Sequence, residues 1–122
     1  MTRYPAGEFA SPDGDFLLLL EGAAAVAAGG FRRLDATTAE VKRMWTRPDR
    51  RRRGLARRML AELEAAARDR GYDGMYLSTG SSQQDAAALY VAAGYTPLFA
   101  EQLLHAAPEQ FRELGFRKTL TR

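Results

Sequence analysis

Residues 46–57 read Thr46-Arg47-Pro48-Asp49-Arg50-Arg51-Arg52-Arg53-Gly54-Leu55-Ala56-Arg57, and the reading of this stretch decides the fold. Before it, apolar residues come in short runs; after it, they fall at helical spacing. Leu55, Met59, Leu63 and Ala66 or Ala67 recur every three or four residues, which predicts a helix from Arg52 to Arg70. Gly71 is its stop residue. Arg58 with Glu62, and Glu64 with Arg68, form i,i+4 pairs expected on the outer face. The stretch therefore hands a strand over to a helix through a glycine. A helix start leaves backbone N–H groups free and turns the positive end of its dipole toward one point. Gly54 and Ala56 allow an anion close to the backbone, and the arginines add charge. Two readings fit this chemistry: a pyrophosphate cradle, or a solvated basic helix start.

Upstream, Phe16-Leu17-Leu18-Leu19-Leu20 is the kind of run expected of a strand buried on both faces. Glu21-Gly22 makes a turn and Ala23 to Leu34 returns as a second strand. Gly29-Gly30 marks a bulge or a close backbone approach within it. Asp35-Ala36-Thr37-Thr38 turns again, and Ala39 to Thr46 completes an antiparallel meander. Residues 1–15, with Pro5, Gly7, Pro12 and Gly14, read as an irregular lead-in. Downstream, Met75 to Thr79 alternates as a strand, and Gly80 to Gln84 is a polar loop. Asp85 to Ala93 is a second helix ended by Gly94. Two more strands are expected around Pro97–Leu104 and Phe111–Leu120. With no repeat and no linker, residues 1–122 form one α+β domain: a meander, then helix-strand-helix, then C-terminal strands.

Composition narrows the chemistry. The 122 residues are 46% hydrophobic and 27% charged, ordinary for one globular domain with a real core. Cysteine is absent, which removes disulfides, thiolate metal sites and cysteine nucleophiles. The one histidine, His105, cannot by itself build a zinc site, and no metal is expected. Net charge is +3, and without Arg50, Arg51, Arg52 and Arg53 it becomes −1, so the basic excess is one local cluster. A point anion site fits this better than a nucleic-acid surface, since no aromatics interleave with the arginines. The apolar stretch from Phe16 to Phe31 is broken by Glu21 and glycines, too polar for a membrane span. Ala25-Val26-Ala27 looks like a signal-peptidase site, but Asp13 and Asp15 precede it where a signal carries positive charge. A cytoplasmic protein is expected.

The segment Arg51-x-x-Gly54-x-Ala56 resembles the acetyl-CoA loop of GNAT-type N-acetyltransferases, written Gln/Arg-x-x-Gly-x-Gly/Ala. It follows the strand ending Glu40-Val-Lys-Arg-Met-Trp-Thr46 and Pro48. Two further marks stand in register: Leu77-Ser-Thr-Gly80 leading to Gln83, and Ala87-Ala-Leu-Tyr90 with Gly94-Tyr95. The resemblance runs from about Phe16 to Pro97, and loosely to Phe116-Arg-Lys-Thr-Leu120. It implies an acetyl-CoA-dependent N-acetyltransferase whose partner is an amine acceptor, with no nucleic acid and no membrane. Backbone groups of Met44, Trp45 and Thr46 would bond the pantetheine amides, like an added strand. Arg51 opens the motif, and N–H groups of Arg52, Arg53, Gly54, Leu55, Ala56 and Arg57 would hold the pyrophosphate. Gln83 matches a position whose Asn touches the cofactor's arm. Tyr90 matches the tyrosine that protonates the leaving thiolate, the alternative being a half-buried helix tyrosine. Glu40 aligns with the catalytic glutamate of the histone-acetylating branch, and a structural or substrate-positioning glutamate is the alternative.

Two departures qualify the resemblance. A second family position for an acid is Ser78 here, and His105 lies in a variable tail. The family pattern also begins with a strand and one or two helices before the meander, while this chain reaches the meander after about fifteen residues. Either its start is read late, or the domain is reduced. A reduced domain leaves Phe16–Leu20 as an uncovered edge able to pair with a second copy in a homodimer. Three functions compete on this basis: an N-acetyltransferase, a reduced domain that holds CoA or a partner chain without turnover, and a nucleic-acid binder.

Overall fold

Turn chemistry and alternation build the first half of the chain. In the computed structural model, residues 2–3, 13–80, 84–98 and 113–120 are described. Among them one mixed sheet holds β1 (Thr2–Arg3), β2 (Asp15–Glu21), β3 (Ala24–Arg33), β4 (Thr38–Thr46), β5 (Gly74–Gly80), β6 (Thr96–Pro97) and β7 (Glu113–Thr119). The spatial order is β1-β2-β3-β4-β5-β7-β6. Helices α1 (Leu55–Asp69) and α2 (Gln84–Ala92) complete the fold. The expected meander is present: β2, β3 and β4 are antiparallel neighbours. Gly22, at φ +61°, turns the first hairpin. At the second, the Asp35 carboxylate accepts hydrogen bonds from the N–H groups of Thr37 and Thr38, an Asx turn.

Four expectations need correction. The apolar run is not buried on both faces: Leu17 and Leu19 are buried, Phe16 and Leu18 half-buried, and Leu20 is 40% exposed. Only one side of β2 meets the helix layer, so the strand reads as alternating despite its uniform sequence. The lead-in is not irregular throughout, because Thr2 and Arg3 pair with Leu18 and Leu17 and cover part of the β2 edge. Helix α1 starts at Leu55 rather than Arg52, since Pro48–Arg50 forms a 3-10 turn and Arg52 and Gly54 take positive φ. Glu64 is not on the outer face. It is buried and accepts hydrogen bonds from the Tyr95 hydroxyl at 2.9 Å and the Lys118 ammonium at 2.9 Å. Of the strand expected at Pro97–Leu104, Thr96–Pro97 forms β6; residues 99–112, with His105, lie outside the described residues.

Helix α1 carries the chain from β4 to the parallel strand β5 and packs across β2, β3 and β4. Its Met59, Leu60 and Leu63 are fully buried against Phe31, Val41 and Met75. Helix and sheet approach closely at Gly29: a Cβ there would stand 2.8 Å from Met44 Sδ, 3.0 Å from Leu63 Cδ1 and 3.1 Å from Met59 Cγ. Of the two readings of Gly29-Gly30, the close approach holds; the β3–β4 register does shift between Ala28 and Gly30, but the extra residue is on β4, not on β3. After Asp69 the chain turns at Gly71, φ +89°, whose N–H returns to the Arg68 carbonyl. No helix among the described residues is long and apolar enough to cross a membrane.

Strand propensity favours valine over glycine at position 29, whereas the packing forbids it. Gly29→Val should destabilise the fold by roughly 1–3 kcal/mol through overpacking, and Gly29→Ala by less. Urea unfolding of the two variants checks this; a stabilised Gly29→Val would show that α1 can lift off the sheet without cost.

Candidate functional site

Strands β4 and β5 are paired only at Thr38–Gly74, Ala39–Met75 and Glu40–Tyr76. The ladder ends there, although β4 continues to Thr46 and β5 to Gly80. On their outer sides both strands stay paired, β4 with β3 and β5 with β7. Their facing edges beyond Glu40 and Tyr76 thus bound an inlet able to take an extended ligand that carries its own amides.

A bulge shapes the β4 side of this inlet. Between the pairs Gly30–Lys42 and Ala28–Trp45, β4 holds one residue more than β3, and Arg43 takes φ +58°. A non-glycine residue in that region costs about 1–2 kcal/mol. The extra residue reverses the alternation. Glu40 and Lys42 share one face of the sheet, whereas Met44 turns to the other and packs beside Gly29 under α1. Trp45 falls on the face opposite α1 and is 44% exposed. Of the three expected backbone contacts, Met44 and Thr46 thus have side chains toward the helix, and Trp45 away from it.

Next comes the arginine segment. Gly54, at φ +76° and ψ +11°, is the N-cap of α1; no side chain caps that end and no acid lies in its first turn. Arg58 is the first residue whose N–H bonds back, to the Gly54 carbonyl at 3.0 Å, so the amides of Leu55, Ala56 and Arg57 precede the helical ladder. Among the described residues nothing stands within 4 Å of a Cβ built on Gly54, which leaves open space over the helix start. These features fit an anion. The arginines divide into two sets. Arg50 is held by a bidentate pair with Glu21, Nε–Oε2 at 3.0 Å and a second nitrogen to Oε1 at 3.0 Å, and also by Asp49. Arg47 pairs with Asp49 at 2.8 Å. Arg51, Arg52, Arg53 and Arg57 are exposed. The Glu21 clasp, which ties the β2–β3 turn to this loop, has no local sequence signal, since 29 residues separate its partners.

The two expected proton-transfer residues lie on opposite faces of the sheet. Met75 pairs with Lys118, whose ammonium reaches Glu64 of α1, so Met75, Leu77 and Phe116 face the helices. Tyr90 of α2 sits on that side, its ring edge-on to Phe116 at 5.3 Å and 6.4 Å from Tyr95. Tyr90 is 8% exposed, and burial pushes its phenol above the usual tyrosine range. No hydrogen bond to its hydroxyl is formed among the described residues, and that oxygen is not a buried unsatisfied group. Glu40, paired with Tyr76, looks the other way. Its Oε1 meets Arg32 at 3.2 Å and its Oε2 meets Lys42 at 3.5 Å, with the residue 8% exposed. Ser78 lies on the Glu40 face and is half-buried. Gln83 lies outside the described residues.

Known proteins agree with this architecture. The acetyltransferase (GNAT) family model matches residues 2–95. An uncharacterized N-acetyltransferase of Bacillus subtilis, YsnE, is 33% identical over 86 residues, which are 69% of this chain and 57% of that protein. This chain thus spans less than two-thirds of that relative's length. Among solved structures, a Klebsiella pneumoniae protein described as an acyl-CoA N-acyltransferase is 29% identical with a TM-score of 0.75, covering 89% of this chain and 74% of its own. A GNAT family acetyltransferase from Elizabethkingia anophelis with acetyl-CoA bound has the same fold, at 17% identity and a TM-score of 0.72, over 88% of this chain and 77% of its own. The family match over most of the chain decides the assignment: this protein belongs to the GNAT family of acetyltransferases.

Proposed function

We propose that the chain is an acetyl-CoA-dependent N-acetyltransferase that acts on a primary amine of a small molecule or a protein by direct attack. One observation carries this reading: an uncapped, acid-free helix start, entered through left-handed Gly54, follows a strand whose parallel ladder ends after three pairs. The helix start supplies N–H donors and a positive dipole end for a pyrophosphate. The β4 edge from Met44 to Thr46 supplies backbone groups for the pantetheine amides. Acetyl-CoA, as cosubstrate, brings an activated acyl carbon. Arg51, Arg52, Arg53 and Arg57 add charge around the cradle, while Arg50 is committed to Glu21 and fixes the loop.

The opposed faces suit the reaction. As the amine nitrogen bonds to the acyl carbon, the carbon–sulfur bond breaks, the sulfur needs a proton and the nitrogen loses one. Tyr90 is proposed to protonate the sulfur from the helix side, and Glu40 to take the amine's proton, directly or through a water, from the other. A buried phenol held above its usual range is fully protonated at neutral pH, as a donor must be. The second reading, a domain that binds CoA or a partner chain without turnover, is favoured by one observation: both oxygens of Glu40 are already engaged by Arg32 and Lys42.

Acetyl-CoA should bind in the micromolar range and raise Tm, because ligand at about 100 times Kd adds roughly 2.7 kcal/mol to the native state. Absence of any shift at millimolar acetyl-CoA overturns the reading. Gly54→Glu should abolish the binding by placing a carboxylate and a side chain at φ +76° in the cradle; calorimetric titration checks it.

Tyr90→Phe should keep the acetyl-CoA Kd within a few-fold and lower kcat by roughly 10²-fold on an amine that the wild type acetylates. The neutral phenol is the active form and burial raises its pKa, so wild-type activity should fall only above pH ~10, and this alkaline limb should vanish in the variant. Acetyl-CoA binding without acetylation of any amine in a broad panel favours the binding module instead.

A further inference from the structure

Glu64 is a carboxylate on the apolar stripe of α1, one helical turn after Leu60 and beside Leu63, both fully buried. The reaction proposed above gives it no role. It is 6% exposed, and each of its oxygens is bound by a residue distant in sequence: Oε2 accepts from the Tyr95 hydroxyl at 2.9 Å, and Oε1 from the Lys118 ammonium at 2.9 Å. Lys118 also donates to the Ala93 carbonyl at 2.8 Å, at the end of α2, and lies 5.6 Å from the centre of the Tyr95 ring. Tyr95 is the next aromatic after Tyr90. Its backbone N–H returns to the Tyr90 carbonyl at 3.0 Å, and the two rings are 6.4 Å apart. One ion pair, buried at Glu64 and half-buried at Lys118, thus grips the end of α2 and the ring beside Tyr90, and anchors both to α1 and β7.

An apolar pair would hold these elements together as well, and burying a charged pair rarely adds stability over it. What the charged set adds is direction: a carboxylate fixed from two sides defines where the Tyr95 hydroxyl points. Phe116 closes the far side of the Tyr90 ring, edge-on at 5.3 Å, so that ring is walled by one residue of β7 and one held by Glu64. The Tyr90 hydroxyl makes no hydrogen bond to another described residue. We infer that Glu64, Lys118 and Tyr95 form a positioning set that aims the Tyr90 hydroxyl at the sulfur of the bound thioester. The inference rests on the reading of Tyr90 as proton donor. Glu64 and Tyr95 do not themselves touch the reacting atoms.

The test uses the full chain saturated with CoA, whose thiolate is followed by its ultraviolet absorbance as pH is raised. No acceptor amine is needed. A phenol donating to the sulfur favours the thiolate, so Tyr90→Phe should raise the thiol pKa of bound CoA by about one unit. Tyr95→Phe keeps the ring against Tyr90 and removes only the hydroxyl. It should raise the thiol pKa by a smaller, resolvable amount, with the CoA Kd within two- to three-fold of wild type. Adding Tyr95→Phe to Tyr90→Phe should change nothing further, because the group being aimed is gone. Glu64→Gln should behave like Tyr95→Phe, read at a temperature where calorimetry shows full CoA binding. An equal thiol pKa in wild type and Tyr90→Phe overturns the donor reading, and this inference with it. A Tyr90→Phe shift with none in Tyr95→Phe, or equal Tyr95→Phe shifts in both backgrounds, leaves the donor reading standing and overturns the positioning set.

Discussion

Strands β4 and β5 share three residue pairs at one end and then none, although both run on. A sheet that stays paired elsewhere and opens along one internal seam has backbone edges facing each other without a protein strand between them. The bulge at Arg43 lies on β4 just beyond its last pair with β5 and turns the strand's continuation. Helix α1 then begins past the far end of β4 with its amides uncapped. The inlet between the two strands follows from that one interrupted ladder.

Electrostatics around the inlet is local rather than global. Arg50 and Arg47 are neutralised by Glu21 and Asp49, and they stiffen the loop instead of presenting charge to a ligand. An exposed pair of this kind is screened by solvent and is a minor source of stability. Its effect is geometric: it ties the loop that carries two left-handed residues, Arg52 and Gly54, to the β2–β3 hairpin. Strain at Arg52, which lacks glycine's freedom, persists only where the surroundings impose it.

The core and the polar layer play different parts. Leu60, Leu63, Phe31 and Phe116 supply burial, and Gly29 lets helix and sheet approach. Within that apolar layer the Glu64–Lys118–Tyr95 set fixes α2 and β7 on α1. Tyr95 keeps its proton there, since burial, then the Glu64 charge, both oppose phenolate formation. A buried charge network of this type is brittle, because loss of one partner strands the other.

Several features follow from sequence alone because their causes are local. Helical spacing after Leu55, glycine stops at Gly71 and Gly94, the Asx turn at Asp35 and the Arg-x-x-Gly-x-Ala segment depend on neighbours within a few residues. The family resemblance built on them carried the fold. The tertiary structure decided what depends on distant partners. Glu64 reads as an i,i+4 partner of Arg68 on a helix wheel, yet its true partners are 31 and 54 residues away. Lys118 and Tyr95 can outbid a solvated pair only after β7 and α2 have docked. Met44 and Trp45 exchange faces because Arg43 adds one residue to β4, and nothing in an arginine announces a left-handed bulge. The leucine run looks doubly buried because composition cannot tell which side of a sheet a helix will cover. Local chemistry wrote the elements; the closing of α1 over Gly29 and the arrest of the β4–β5 ladder decided which side chains meet.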